Sequence, residues 1–226
     1  RRFLLQSARG IVVRVNPGTL SVVAQDAMET MLNELSSVYN VRIMTSPHVT
    51  RRMGAKDSLV KIRKLRCGME DTFCYYTPEE FVEGFCTSIA YRPRVIKQNR
   101  GSQGEGVWIV QLENEEDYCE NFGDSQVSLD TKLVLTEAND NHVEVHTVGE
   151  FIEFCLHGRT PQSGTWASLG RGCYLDGGIE MGAMLVDQRF LPRIVEGEVR
   201  CNMIGDQLVT LVHKIQLGEE GKEKLY

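Results

Sequence analysis

Apolar positions recur along the chain with periods that change several times, and each change marks an element. Gly10-Ile11-Val12-Val13-Arg14-Val15 is a short apolar run stopped by Asn16-Pro17-Gly18, the pattern of a buried strand ending in a turn. Ala24, Ala27, Met28, Met31, Leu32, Leu35 and Val38 then fall at helical spacing, and the pattern ends near Asn40. Val41-Arg42-Ile43-Met44 predicts a second short strand before Ser46-Pro47. This β-α-β order favours a parallel sheet. It lacks the further strands such a sheet would need, so the expectation is a chain that begins late in a small domain. A helical pattern runs from Met53 to Leu65, followed by a strand over Phe73-Cys74-Tyr75-Tyr76. Thr77-Pro78-Glu79-Glu80 joins a capping threonine, a proline at the first helical position and a glutamate three residues on, which predicts a helix to about Ala90.

From Pro93 the pattern changes to strand, glycine-rich turn and strand: Arg94-Val95-Ile96-Lys97, then Gly101, Gly104 and Gly106, then Val107-Trp108-Ile109-Val110. The acidic run from Glu113 to Glu120 reads as an exposed connection. Leu133-Val134-Leu135 and Val143-Glu144-Val145 predict a hairpin over Asn139-Asp140-Asn141. Thr147-Val148-Gly149-Glu150 is a second capping box, opening a helix to about His157. Residues 158–178, rich in Gly, Ser and Thr, predict a long loop of the kind that carries function or moves. Strands are expected at Met184–Asp187, Glu198–Ile204 and Leu208–Val212, the last two joined by a Gly205-Asp206 turn.

Composition narrows the class. With 226 residues, 42% hydrophobic and 25% charged, the chain has room for a real core, as one large domain or two lobes. No apolar run is long enough to span a bilayer, and Arg1-Arg2-Phe3-Leu4-Leu5 is interrupted too soon to act as a cleavable signal. A net charge of −6 and a pI near 5.5 argue against nucleic acid as the main partner. The local basic stretch from Arg51 to Arg66 reads as a solvated helix face. Cys67, Cys74, Cys86, Cys119, Cys155, Cys173 and Cys201 are odd in number, scattered and free of any Cys-x-x-Cys pair. A disulfide framework and a zinc site are therefore not expected, and the default location is cytoplasmic or another reducing compartment. Cys155, inside an apolar helix, reads as a buried and inert thiol.

The chemistry concentrates around Lys97. A lysine ending a strand and followed by Gly101-x-x-Gly104-x-Gly106 suits phosphate: glycines let the backbone approach a ligand, a concave row of N–H groups attracts anions, and the ammonium adds a compact charge. The same residues also read as a plain hairpin with an incidental lysine. Other nucleotide patterns fail on form. There is no Gly-x4-Gly-Lys-Ser/Thr, and the glycine turn joins strand to strand rather than strand to helix. No His-Arg-Asp or Asp-Phe-Gly follows, which sets aside the protein kinases.

Three segments together carry a family resemblance. Val95-Ile96-Lys97 with the 101–106 loop and Val107–Val110 resembles the central element of the ATP-grasp superfamily. Asp187-Gln188-Arg189-Phe190-Leu191-Pro192-Arg193 through Arg200 resembles the adenine hinge of its glutathione-synthetase-like members. Met53-Gly54-Ala55-Lys56-Asp57 stands where that family has its first ATP-binding lysine. Residues 14–18, Arg-Val-Asn-Pro-Gly, and 188–193, Gln-Arg-Phe-Leu-Pro-Arg, are closest to an uncharacterised bacterial-type group within the superfamily. The resemblance implies an α/β (α+β) fold in which two lobes with antiparallel sheets sandwich ATP, preceded by part of a small parallel β-α-β domain. On that basis 1–50 is the partial β-α-β domain, 51–92 carries linker helices and the start of the first lobe, 93–186 is the glycine-loop lobe, and 187–226 is an incomplete C-terminal lobe.

Roles follow from the resemblance by position. Lys56 and Lys97 would contact ATP phosphates, with Lys97 also near the adenine ring. The loop with Gly101, Ser102, Gly104 and Gly106 would close over the β- and γ-phosphates. Gln188 opens the hinge; Arg189, Phe190 and Leu191 would present backbone groups to adenine, and Glu198 would accept from ribose hydroxyls. Arg200 would be catalytic, neutralising charge on the transferred phosphate. Each has a plainer reading: Arg200 as a surface strand residue, Glu198 as a cross-hairpin partner, Lys56 as a lysine at a helix N-terminus.

The implied activity is an ADP-forming carboxylate–amine or carboxylate–thiol ligase acting through an acyl-phosphate, with small-molecule partners and a homodimer among the open assemblies. Mg²⁺ would be required, yet no Glu-x-Asn follows Lys214, and the tail from Gln216 to Tyr226 reads as a short charged helix. The metal ligands are therefore expected outside this chain, or lost. The alternative is a catalytically inactive, ATP-grasp-like nucleotide-binding or scaffold protein.

Overall fold

A computed structural model describes residues 8–15, 20–53, 55–101, 104–139 and 141–215, without the side chains of 51–53. Its first part is the expected β-α-β unit. Strand β1 (Gly10–Val12) lies parallel to β2 (Arg42–Met44), and helix α1 (Val22–Ser37) crosses between them. The Ser21 hydroxyl caps α1 by accepting from the Ala24 amide, and Asn40 takes a positive φ just beyond the helix end. Leu32 and Leu35 are the apolar side chains the helix buries.

One prediction fails here. Residues 53–65 do not make a continuous helix. Instead α2 (Pro47–Met53) ends and a one-turn α3 (Ser58–Lys61) follows. The amides of Lys56 and Asp57 are taken by the backbone and side chain of Asn99, more than 40 residues away, and not by helical carbonyls. Tertiary hydrogen bonds outcompete a helical pattern of modest propensity.

The main body is a six-stranded antiparallel sheet in the order β3-β8-β4-β5-β6-β7. Its strands are β3 (Thr72–Tyr75), β4 (Arg94–Gln98), β5 (Val107–Leu112), β6 (Lys132–Glu137), β7 (Val143–Thr147) and β8 (Leu185–Arg189). Helix α4 (Pro78–Tyr91) and helix α5 (Val148–His157) both open with complete capping boxes, from Thr77 with Glu80 and from Thr147 with Glu150. Side chains alternate across a strand, so each sheet face has its own composition. One face carries Tyr75, Ile96, Trp108, Val110, Leu133, Leu135 and Leu185, packed under Phe81, Phe85 and Ile89 of α4 and Phe151 and Phe154 of α5. Trp166 from the 158–178 loop stacks on Phe154 at 4.0 Å and on His146 at 3.9 Å. That loop is held down: Glu144 accepts from the Ala167 and Ser168 amides at 2.7 and 2.9 Å, and the Ser168 hydroxyl donates to Glu137 at 2.6 Å.

An ion cluster lies under α4. Arg94 donates to Asp187 at 2.6 Å and to Asp71 at 2.8 Å, while the Tyr75 and Ser88 hydroxyls donate to Asp187 at 2.7 and 2.6 Å. Burial alone would lower the Arg94 pKa, but Asp187 and Asp71 outweigh it and the net direction is upward. Four segments are thus tied to one carboxylate.

Strands β9 (Glu198–Ile204) and β10 (Gln207–Lys214) form a separate antiparallel ribbon that is exposed at every position. Among the described residues no helix is long and apolar enough to cross a membrane, and all seven cysteines are free. The tail expected to be helical, 216–226, lies outside the described residues.

Removing one partner of a buried charge cluster leaves the other uncompensated. Asp187→Ala is expected to lower unfolding stability by about 3–5 kcal/mol in urea denaturation, whereas Val209→Ala on the exposed ribbon stays within about 0.5 kcal/mol.

Candidate functional site

The second sheet face holds Lys97. Thr72 of β3 pairs with Gln188 of β8, Gln188 pairs with Val95 of β4, and Lys97 stands two residues beyond Val95. Thr72, Gln188, Val95 and Lys97 therefore project to the same side, away from α4 and α5. Lys97 lies between Val107 and Val186 on the neighbouring strands, and its ammonium donates to Gln188 Oε1 at 2.5 Å. Gln188 Nε2 in turn donates to Thr72 Oγ1 at 3.1 Å, and the Thr72 hydroxyl donates to the Met69 carbonyl at 2.7 Å.

Lys56 approaches from the turn before α3. Asn99 fixes that turn: its carbonyl accepts from the Lys56 amide at 3.3 Å and its side-chain oxygen from the Asp57 amide at 2.9 Å. Asn99 Nδ2 also donates to the Gly182 carbonyl at 2.9 Å, so one buried side chain joins three segments around the lysines. Lys56 Nζ donates to the Gly101 carbonyl at 3.3 Å, which puts it at the mouth of the glycine loop.

The two ammonium groups feel each other. Burial lowers the Lys97 pKa to about 8, and the charge of Lys56 pushes in the same direction. Burial also lowers Lys56, partly offset by Glu105. The oxygens that accept from the two ammonium groups, on Gln188 and Gly101, carry no charge. Two neighbouring cations bonded to uncharged oxygens leave a local excess of positive charge, countered at Lys56 by Glu105.

The expected hairpin is present, with β4 and β5 antiparallel and a turn at 104–106 between them. Gln98 clasps it by donating from Nε2 to the Glu105 carbonyl at 2.9 Å, and Gly106 takes φ 62°, a backbone conformation that side chains rarely adopt. Gly104 has φ 83°, and a Cβ there would come within 2.9 Å of the Ala138 backbone. Glycine is thus required in the turn at 104 by packing and at 106 by backbone conformation, besides being suited to phosphate. Ser102, expected to contact phosphate, lies outside the described residues.

Beside Gln188 opens a cleft of about 480 Å³, lined by Leu59, Ile62, Met69, Arg189 and Leu191 with Cys67 and Gly68. It is mainly apolar and borders the residue that holds Lys97. The hinge backbone is only partly available to a ligand: the Arg189 amide donates to the Asp71 carbonyl at 3.2 Å and the Phe190 amide to the Pro93 carbonyl at 2.9 Å. Of the three residues expected to present backbone groups to adenine, Arg189 and Phe190 therefore have their amides engaged within the protein.

Glu198 and Arg200 stand apart from this cluster. They sit on the exposed ribbon with side chains 46% and 56% accessible, and Glu198 pairs with Lys214 at 2.9 Å. Lys56, Lys97, Gln188 and the glycines are brought together; Glu198 and Arg200 are not bonded to any of them. Among the described residues no group of three or more His, Cys, Asp or Glu is placed to hold a metal ion. Thr72 and Asn99 escape sequence reading, because a polar residue in a short strand or a turn carries no mark of a partner 116 or 83 residues away.

No protein-family model matches the chain, and no curated protein matches it significantly.

A lysine whose folded pKa lies below its unfolded value binds fewer protons when folded, so stability rises with pH between the two values. For Lys97 the window runs from about 8 to 10.5. The gap, about 2.5 pH units at about 1.4 kcal/mol each, amounts to roughly 3.5 kcal/mol. Urea unfolding across this window is expected to show a rise in stability that Lys97→Met flattens; an unchanged slope would place Lys97 in water.

Proposed function

We propose that this chain binds an adenine nucleotide, with its phosphates on Lys56, Lys97 and the 101–106 loop and its base in the cleft beside Gln188. The observation that carries the reading is the convergence of two partly buried lysines, from segments 40 residues apart, on one glycine turn. Charge of that kind is destabilising without an anion, and a phosphate chain supplies one. The adjoining apolar cleft fits the flat face of a base, and the most direct connection between the two is Gln188.

The order of these parts along the chain supports the ATP-grasp resemblance, and with it the two-lobed ATP sandwich and a carboxylate–amine or carboxylate–thiol ligase. In that reading ATP supplies the phosphoryl group that activates a carboxylate, while the lysines bind and orient its phosphates. The ribbon β9–β10 would then carry Glu198 and Arg200 in a second lobe. A nucleotide-binding protein without turnover is the second reading, favoured by the hinge amides of Arg189 and Phe190 being engaged internally. ADP release in the presence of Mg²⁺ and a panel of carboxylic acids with amines or thiols separates the two: turnover abolished by Lys97→Ala supports the ligase, and binding without turnover supports the other.

Binding itself has a sharp signature. A charge-assisted hydrogen bond is worth about 1.5–3 kcal/mol, or roughly ten- to hundredfold in affinity. Lys97→Ala is expected to weaken ADP by that factor in calorimetry while leaving adenosine within about threefold. ADP affinity should also fall as pH rises through about 8, where Lys97 loses its charge, while adenosine affinity stays flat. Equal losses for ADP and adenosine would remove Lys97 from the phosphates.

A further inference from the structure

The direction of each hydrogen bond in the Lys97 chain is forced from its far end. The Thr72 hydroxyl gives its proton to the Met69 carbonyl at 2.7 Å, a group that can accept but never donate. Its oxygen can then only accept, and it accepts from Gln188 Nε2 at 3.1 Å. With its amide nitrogen turned to Thr72, Gln188 must turn its carbonyl oxygen to Lys97, 2.5 Å from the ammonium. A flipped amide would set two donors against each other at Lys97 and two acceptors against each other at Thr72. Thr72 is fully buried and Gln188 nearly so, which makes a mismatched hydrogen bond between them costly. Thr72 is also anchored through its backbone, where its carbonyl accepts from Arg63 at 3.0 Å.

We propose that Thr72 is a positioning residue for the anion site: by fixing the polarity of the Gln188 amide, it supplies Lys97 with the oxygen that holds its ammonium charged and aimed beside the glycine loop. The chain Met69–Thr72–Gln188–Lys97 is thus one device with a single permitted direction. It acts against two opposing influences, burial of Lys97 and repulsion from Lys56, which comes from the turn before α3. Glu105, from the glycine loop, acts on Lys56. The inference concerns the same lysine as the nucleotide reading, and its importance for ligand binding rests on that reading.

The test is a direct titration of Lys97 in protein with ¹³C-labelled lysine, followed by NMR, in wild type, Thr72→Val and Thr72→Ser. Valine keeps the shape and removes the hydroxyl; serine keeps the hydroxyl. The Lys97 midpoint is expected to drop by about one pH unit in Thr72→Val, the equivalent of a tenfold loss in preference for the charged form, and to return in Thr72→Ser. A valine variant that stays folded with an unmoved midpoint overturns the proposal, as does a serine variant that fails to restore it. ADP calorimetry on the same proteins separates the two ideas. A shifted midpoint together with ADP affinity lost at pH 8 and kept at pH 6.5 supports both. A shifted midpoint in a protein that binds no ADP keeps the relay and sinks the nucleotide reading.

Discussion

Pairing of β4 with β8 brings together residues some 90 positions apart, and both polar centres of the molecule depend on it. Because side chains alternate along a strand, adjacent residues of these two strands serve opposite faces. Arg94 and Asp187 go to the helical side, where they anchor α4 through Ser88 and β3 through Tyr75. Lys97 and Gln188 go to the other side, where they meet Lys56 and the glycine turn. A one-residue slip would exchange the two sets, burying the lysine under aromatic rings and exposing the arginine. Register is therefore a requirement of the site as much as of the core.

Much of this was legible in the sequence where local chemistry decides. Both capping boxes, the β-α-β unit, the β4–β5 hairpin and the β6–β7 hairpin are written in short runs whose spacing and turn residues suffice. The helix expected over 53–65 fails because Asn99 draws in the 55–57 turn, an interaction no local window contains. Lys56 and Lys97 could be singled out as candidates from residue type and position, but their mutual repulsion could not. Gln188 was expected in a hinge; that its side chain holds Lys97 follows only from the strand pairing. Thr72 and Asn99 were invisible for the same reason.

The placement of Glu198 and Arg200 follows from the ribbon they occupy. Every position of β9 and β10 is exposed, and Val199, Cys201, Met203, Leu208 and Leu211 share one side of the ribbon by register. A two-stranded ribbon has little stability of its own. Within it, Glu198 finds its charge partner across the strand pair in Lys214, so its carboxylate is satisfied locally and its presence is explained without a ligand. The lysine site offers no such local explanation.

That contrast is the physical case for a bound anion. Arg94 is fully buried, and two carboxylates compensate its charge, with Tyr75 and Ser88 completing one of them; a charge balanced in this way holds structure together. Lys97 is given a neutral amide oxygen and a second cation as neighbours. A protein that needed Lys97 only for folding would gain from a methionine of similar shape, which carries no charge to desolvate. Retaining the ammonium costs stability in the free state, and an anion that binds the folded form alone returns it, since any such ligand stabilises in proportion to its differential affinity. The uncompensated charge on one sheet face and the compensated charge on the other thus separate the polar centre that would gain from an anion from the one that holds the fold.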